Sequence, residues 1–185
     1  MLREERMKKI SVLCVIAAGW GLMASHGALA SNRPGAITIT PMAGYYYFSS
    51  KRQLDNTGDL GLALAYNFTQ QWAMEGTYTS MNAKLQGTYS HTHGNLYLID
   101  GLYRFTPHGM FEPYVSAGIG ALGLSQSRSD ANSGMNVNAG IGTQVFFDKV
   151  VALRGEVKDL YFMAGGKNDV AINFGVSFLI DTVKA

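Results

Sequence analysis

The chain has 185 residues, with 15 Lys+Arg, 13 Asp+Glu and one cysteine. That length suits a single domain, a formal net charge of +2 gives no basis for nucleic-acid binding, and one cysteine rules out a disulfide framework. No apolar run after residue 30 reaches the roughly 20 residues that a spanning helix needs.

The first thirty residues read as a secretory signal. Arg3, Arg6, Lys8 and Lys9 form a basic region and Ile10 to Met23 a short apolar one. Ala28-Leu29-Ala30 makes a small-residue cleavage site before Ser31, so cleavage is expected between Ala30 and Ser31. The apolar run is too short for a membrane anchor, and Cys14 lies within it. Residues 31–185 then form the single mature domain, of 155 residues, with 11 basic and 11 acidic side chains and no cysteine.

Eight strands are predicted along the mature chain, each from alternation with a period of two. Strand one lies within Ala36–Ser50, though Pro41 and the run Tyr45-Tyr46-Tyr47-Phe48 leave its facing open. Strand two, Asp59–Thr69, sets Leu60, Leu62, Leu64, Tyr66 and Phe68 against Gly61, Ala63, Ala65 and Asn67. Strand three, Trp72–Leu85, sets Met74, Gly76 and Tyr78 against Glu75, Thr77 and Thr79. Strand four, Asn95–Thr106, sets Tyr97, Ile99, Tyr103 and Phe105 against Leu98, Asp100, Leu102 and Arg104.

Strand five, Phe111–Ser127, sets Val115, Ala117, Ile119 and Ala121 against Tyr114, Ser116, Gly118 and Gly120. Strand six, Ser133–Phe147, sets Met135, Val137, Ala139, Ile141, Val145 and Phe147 against Asn136, Asn138, Gly140, Gly142 and Gln144. Strand seven, Val150–Phe162, sets Val151, Leu153 and Val157 against Arg154, Glu156 and Lys158. Strand eight has Val170, Ile172, Phe174, Val176, Phe178 and Ile180 on one face, with Ala171, Asn173, Gly175 and Ser177 on the other.

The connections alternate. Thr69–Gln71, Thr106–Met110 and Asp148-Lys149 are tight, whereas Ser49–Gly58, Leu85–Gly94, Ser125–Gly134 and Met163–Asn168 are polar and mostly longer. This is the pattern of an all-β, eight-stranded, antiparallel up-and-down transmembrane barrel, with tight turns in the periplasm and long loops outside. An even strand count places both termini in the periplasm. A sheet that crosses lipid must close, because an open edge leaves backbone groups unpaired in hydrocarbon.

Facing decides function. The polar face carries Glu75, Asp100, Arg104, Arg154, Glu156 and Lys158 among small residues, and an eight-stranded barrel is just wide enough for side chains to fill. These six, three of each sign, are expected to compensate one another in the lumen. The apolar face is expected to meet lipid, with Tyr66, Phe68, Trp72, Phe105, Phe147 and Phe178 as one aromatic girdle at the tight-turn end. The alternative is a soluble periplasmic barrel with its apolar face turned in around a ligand.

The mature chain resembles the OmpA-type transmembrane domain, including the small OmpX-like barrels. The resemblance runs through Met74-Glu75-Gly76-Thr77-Tyr78, Leu153-Arg154-Gly155-Glu156 and Phe174-Gly175-Val176-Ser177-Phe178. It implies a luminal salt-bridge network at Glu75, Arg154 and Glu156. Asp100 stands where the family has a lysine, and Lys158 or Arg104 is the candidate for the missing positive charge. The resemblance also implies an assembly signal at Asn173, Gly175, Phe178 and Ile180, read by the barrel-assembly machinery, although the chain continues through Asp181–Ala185.

No catalytic, cofactor or metal site is expected. His91 and His93 face the same way on an extended segment and could hold a transition metal, but no third ligand is evident and the segment reads as an outer loop. Gly118-Ile119-Gly120 and Gly140-Ile141-Gly142 fall in mid-strand, so they are packing glycines and not phosphate loops. The expected function is that of a monomeric outer-membrane protein with a structural or surface-interaction role. Its partners would be membrane lipid and a surface partner reached through loops carrying Lys51, Arg52, Tyr89, His91, His93 and Arg128-Ser129-Asp130. A lipid-modifying outer-membrane enzyme is the rival from another class. A narrow pore gated by Arg154, Glu156 and Lys158 is the rival reading of the charges.

Overall fold

The computed structural model describes residues 31–84, 91–125 and 133–181. Eight strands follow one another: β1 (Ala36–Tyr47), β2 (Thr57–Asn67), β3 (Trp72–Lys84), β4 (His91–Arg104), β5 (Phe111–Leu124), β6 (Gly134–Phe146), β7 (Val151–Phe162) and β8 (Lys167–Asp181). Each pairs antiparallel with its neighbour in sequence, and β1 pairs with β8, so the sheet closes with no free edge. Pro41 interrupts the pairing of β1 with β8. The β1–β8 register runs through Ile39↔Phe178 and resumes at Met42↔Gly175, the gap falling where a residue without an N–H cannot join the ladder. A side-chain bond between Thr40 Oγ1 and Ser177 Oγ, 2.8 Å, joins the strands there instead.

The apolar face points outward. Leu60 is 68 % exposed and Phe174 67 %, and Leu62, Leu64, Ile99, Ile119 and Ile141 share that surface. A protein in water does not leave so continuous an apolar belt uncovered, so the inward-facing ligand-binding alternative fails on geometry. The belt has two aromatic rims where one was predicted. At the tight-turn end Tyr66 meets Phe68 edge to face (ring centroids 5.1 Å apart), as Trp72 does Tyr103 (5.0 Å). At the loop end Tyr45 meets Tyr47 at 5.1 Å and Tyr78 meets Tyr97 at 5.2 Å. The second rim was hidden in the tyrosine run of strand one, whose facing the register settles: Tyr45 and Tyr47 point out, Tyr46 in.

Beyond the second rim the faces exchange character. Asn82, Lys84, His91 and His93 point outward, while Met81, Ala83 and Leu96 point in. They join Phe48, Leu54, Leu122, Leu160 and Phe162 in an apolar cluster inside the loop end of the barrel. The physical cause is the change of solvent: above the lipid the outer wall meets water, so burial becomes favourable on the inside again. The strands therefore run past the expected loop boundary, and His91–Gly94, predicted as loop, begins β4.

Ile141 lies on the outer wall between Val115 and Val157. Ile141→Arg is expected to cost roughly 2–4 kcal/mol near the bilayer midplane, measured by urea titration of the barrel in lipid vesicles. Asn138→Ser, on the opposite face of β6, should be milder. The reverse order of effects would mean that the two faces have been assigned the wrong way round.

Candidate functional site: a charged lumen

Period-two alternation sends every second side chain of each strand into a narrow interior, and the luminal side chains form three layers. The middle layer spans the barrel. Glu75 on β3 and Asp100 on β4 are direct cross-strand neighbours. Two adjacent carboxylates would repel, and they are met from the opposite wall by cations of β7. Arg154 donates from both terminal nitrogens to the Glu75 carboxylate, the Nη2–Oε1 bond being 2.7 Å, and also pairs with Glu156. Its Nε donates to the Tyr114 hydroxyl at 2.7 Å, and that hydroxyl donates to Glu156 Oε2 at 2.6 Å. Lys158 Nζ bridges Asp100 (2.5 Å) and Glu156 (2.8 Å). All five ionised side chains are buried.

Glycines make room for this layer. A Cβ on Gly142 would strike the Tyr114 ring and hydroxyl, and one on Gly118 would strike the Asp100 carboxylate and the Ile99 carbonyl. Both sit in mid-strand, as their reading as packing glycines requires.

Arg104 takes no part in the middle layer; Lys158 alone supplies the cation beside Asp100. Arg104 instead pairs with Glu112 at 3.4 Å in a second layer at the tight-turn end. Asn32 turns into the barrel there. Its backbone N–H donates to Glu112 (3.1 Å), its side-chain amide to Glu112 (2.7 Å) and Gln144 (2.6 Å), and its Oδ1 accepts from Asn67 at 3.4 Å. Residues just upstream of β1 thus fill this mouth.

The third layer lies at the loop end. After β1 the chain makes one 3-10 turn, Ser50–Arg52, that carries the Arg52 guanidinium inward. It pairs with Asp169 at 2.9 Å and lies 4.2 Å from the centroid of the Phe162 ring. Asp169 also accepts from the Tyr46 hydroxyl (2.9 Å) and the Ser49 backbone (2.8 Å). Arg52, predicted as a surface contact, is buried and so unavailable to a partner, whereas Lys51 stays exposed and donates to the Gly166 carbonyl at 3.0 Å.

Three further luminal acids, Asp59, Glu112 and Asp169, were missed from sequence. The signal for them was parity: Asp59 shares its face with Gly61 and Ala63, Glu112 with Tyr114, and Asp169 with Ala171. Of the assembly-signal residues, Asn173 is buried in the lumen, Gly175 shares its inward face, and Phe178 and Ile180 point outward. His91 and His93 are exposed on one outward face of β4, opposite Lys84 and Asn82. Among the described residues no three metal-ligating side chains cluster and no histidine is buried. Tyr89, Arg128, Ser129 and Asp130, together with residues 1–30 and the Ala30–Ser31 cleavage site, fall wholly or partly outside the described residues.

Comparison with known proteins gives the same architecture. The family model of the OprF membrane domain matches residues 7–182. The outer membrane porin F of Pseudomonas aeruginosa is 25 % identical over 97 % of this chain and 54 % of its own length. The chain therefore spans about half of that curated relative. Among solved structures, the N-terminal β-barrel domain of OprF from Pseudomonas aeruginosa superposes with a TM-score of 0.62 at 22 % identity, covering 80 % of this chain and 100 % of that one. Neisserial surface protein A gives 0.63 at 12 % identity, covering 80 % and 99 %. At these identities the two structures speak for the fold.

Proposed function

Because the chain belongs to the OprF membrane-domain family, within the OmpA-type outer-membrane barrels, we propose that it serves as a sealed structural barrel of the outer membrane and not as an enzyme. The observation that carries this reading is the luminal cross-brace, in which β3 and β4 are tied through Arg154 and Lys158 to β7 on the far wall. A layer of this kind both rigidifies the barrel and occupies its cross-section. Arg52 with Asp169 at one mouth and Asn32 with Glu112 at the other complete the closure. The tight-turn end and both termini face the periplasm, and the loop end faces outward with its polar strand extensions and Lys51. A monomer suffices, since closure leaves no strand edge to pair with a second copy. Lipid along the apolar belt, the assembly machinery acting on β8, and a surface partner at the loops are the contacts this reading needs.

The name of the curated relative favours a second reading, a porin. The two part in planar lipid bilayers. A sealed barrel inserts without a steady open-channel current, while a steady ohmic current from the wild-type chain would overturn the structural reading. Unchanged lipid A mass spectra on deletion of the gene are expected, and loss of a modified species would restore the enzyme alternative.

A further inference from the structure

The middle and loop-end layers enclose a cavity with room for a single water-sized occupant, lined in part by Asp59, Thr77, Thr79, Asn173, Glu156 and Lys158. Glu156, Asn173, Gly44 and Asp59 are successive partners across β7, β8, β1 and β2. A Cβ at Gly44 would collide with Asn173 Oδ1, so the Asn173 amide lies over Gly44, the residue paired with Asp59.

Charge in this interior does not balance. Among the described residues the buried charged side chains are Arg52, Arg104, Arg154, Lys158 and Lys167 against Asp59, Glu75, Asp100, Glu112, Glu156 and Asp169, five basic and six acidic. Every one of those acids except Asp59 makes an ion pair. Asp59 is only 4 % exposed, and neither of its carboxylate oxygens has a hydrogen-bond partner among the described residues. Thr77 Oγ1 and Asn173 Oδ1, on the same cavity, are unpartnered as well. A buried carboxylate with no counter-charge is strongly unfavourable, and the cavity beside it has room for a counter-ion.

We infer that the lumen holds one monovalent cation, bound by the Asp59 carboxylate with Asn173 Oδ1, which reaches it across Gly44. An all-oxygen donor set suits a hard cation. The buried charges total one acid in excess, and Lys158 on the same cavity disfavours a divalent ion. The site gives the barrel a specific dependence on small cations that the salt-bridge layers do not predict, because every ionised side chain of those layers already has a partner of opposite sign.

The test is thermal unfolding of the full barrel chain, refolded in detergent micelles at pH 8 in sodium, potassium or N-methylglucamine chloride of equal ionic strength. N-methylglucamine is too large for the cavity. Sodium or potassium should raise Tm by about 3–6 °C over N-methylglucamine, the shift expected when an ion is present at roughly ten times its Kd. The isosteric Asp59→Asn should abolish the difference. Equal Tm in all three salts, or a difference that survives in Asp59→Asn, overturns the site. So does a stabilisation on acidification that depends on Asp59 but is indifferent to the cation, which would identify the occupant as a proton.

Discussion

Arg154→Ala is expected to cost the barrel about 3–5 kcal/mol, the usual loss when one partner of a buried ion pair is removed, read as a lower urea midpoint in micelles. The geometry says which group is stranded. Glu156 keeps Lys158 and the Tyr114 hydroxyl, and Asp100 keeps Lys158. Glu75 pairs with no other cation among the described residues. The damage should therefore concentrate at Glu75, and adding Glu75→Gln to Arg154→Ala should recover much of the loss, whereas adding Glu156→Gln should recover little. A gate role for Arg154 predicts a different pair of results: stability close to wild type and larger currents in planar bilayers. That outcome would replace the structural brace by a pore.

Asp169→Ala should act by another route, because its buried site lies at the loop-end mouth of the barrel and not in its middle. Removing the carboxylate takes an acceptor from Tyr46, Ser49 and Arg52 together. Arg154 is held in mid-barrel and cannot leave, but Arg52 stands on a single turn between β1 and β2 and can swing out to be solvated. The expected loss is therefore about 2 kcal/mol, at the lower end of the range for truncating one side of a buried charge pair. Release of the turn should make the bonds after Lys51 and Arg52 cleavable by trypsin in the folded barrel. Asp169→Asn keeps an acceptor without the charge and should fall between the two. A mutant as stable and as protease-resistant as wild type would show that the Arg52 turn does not depend on Asp169.

Alternation along the chain was enough to determine the strand number and, in every strand but the first, which face is apolar, because a side chain's face depends only on its parity within a strand; the alternating short and long connections added the antiparallel order. The same parity put Glu75, Asp100, Arg104, Arg154, Glu156 and Lys158 inside. It failed for β1, where four consecutive aromatics carry no period and only the register with β2 and β8 assigns Tyr46 to the interior. It could not place Arg52 either, since a residue in an irregular turn has no parity.

Which acid meets which base was decided by the closed barrel alone. Partners such as Glu75 and Arg154 lie 79 residues apart and touch across the lumen, at a height set by the stagger of all eight strands. A shift of register would have matched Lys158 or Arg154 with other carboxylates and left the sequence pattern untouched. The exchange of faces at the loop end has a similar origin. Met81, Leu96 and Leu160 obey the same parity as the buried charges. Their burial together, and the isolation of Asp59 beneath them, depend on where along the strands the lipid stops and on how the strands are staggered around the barrel.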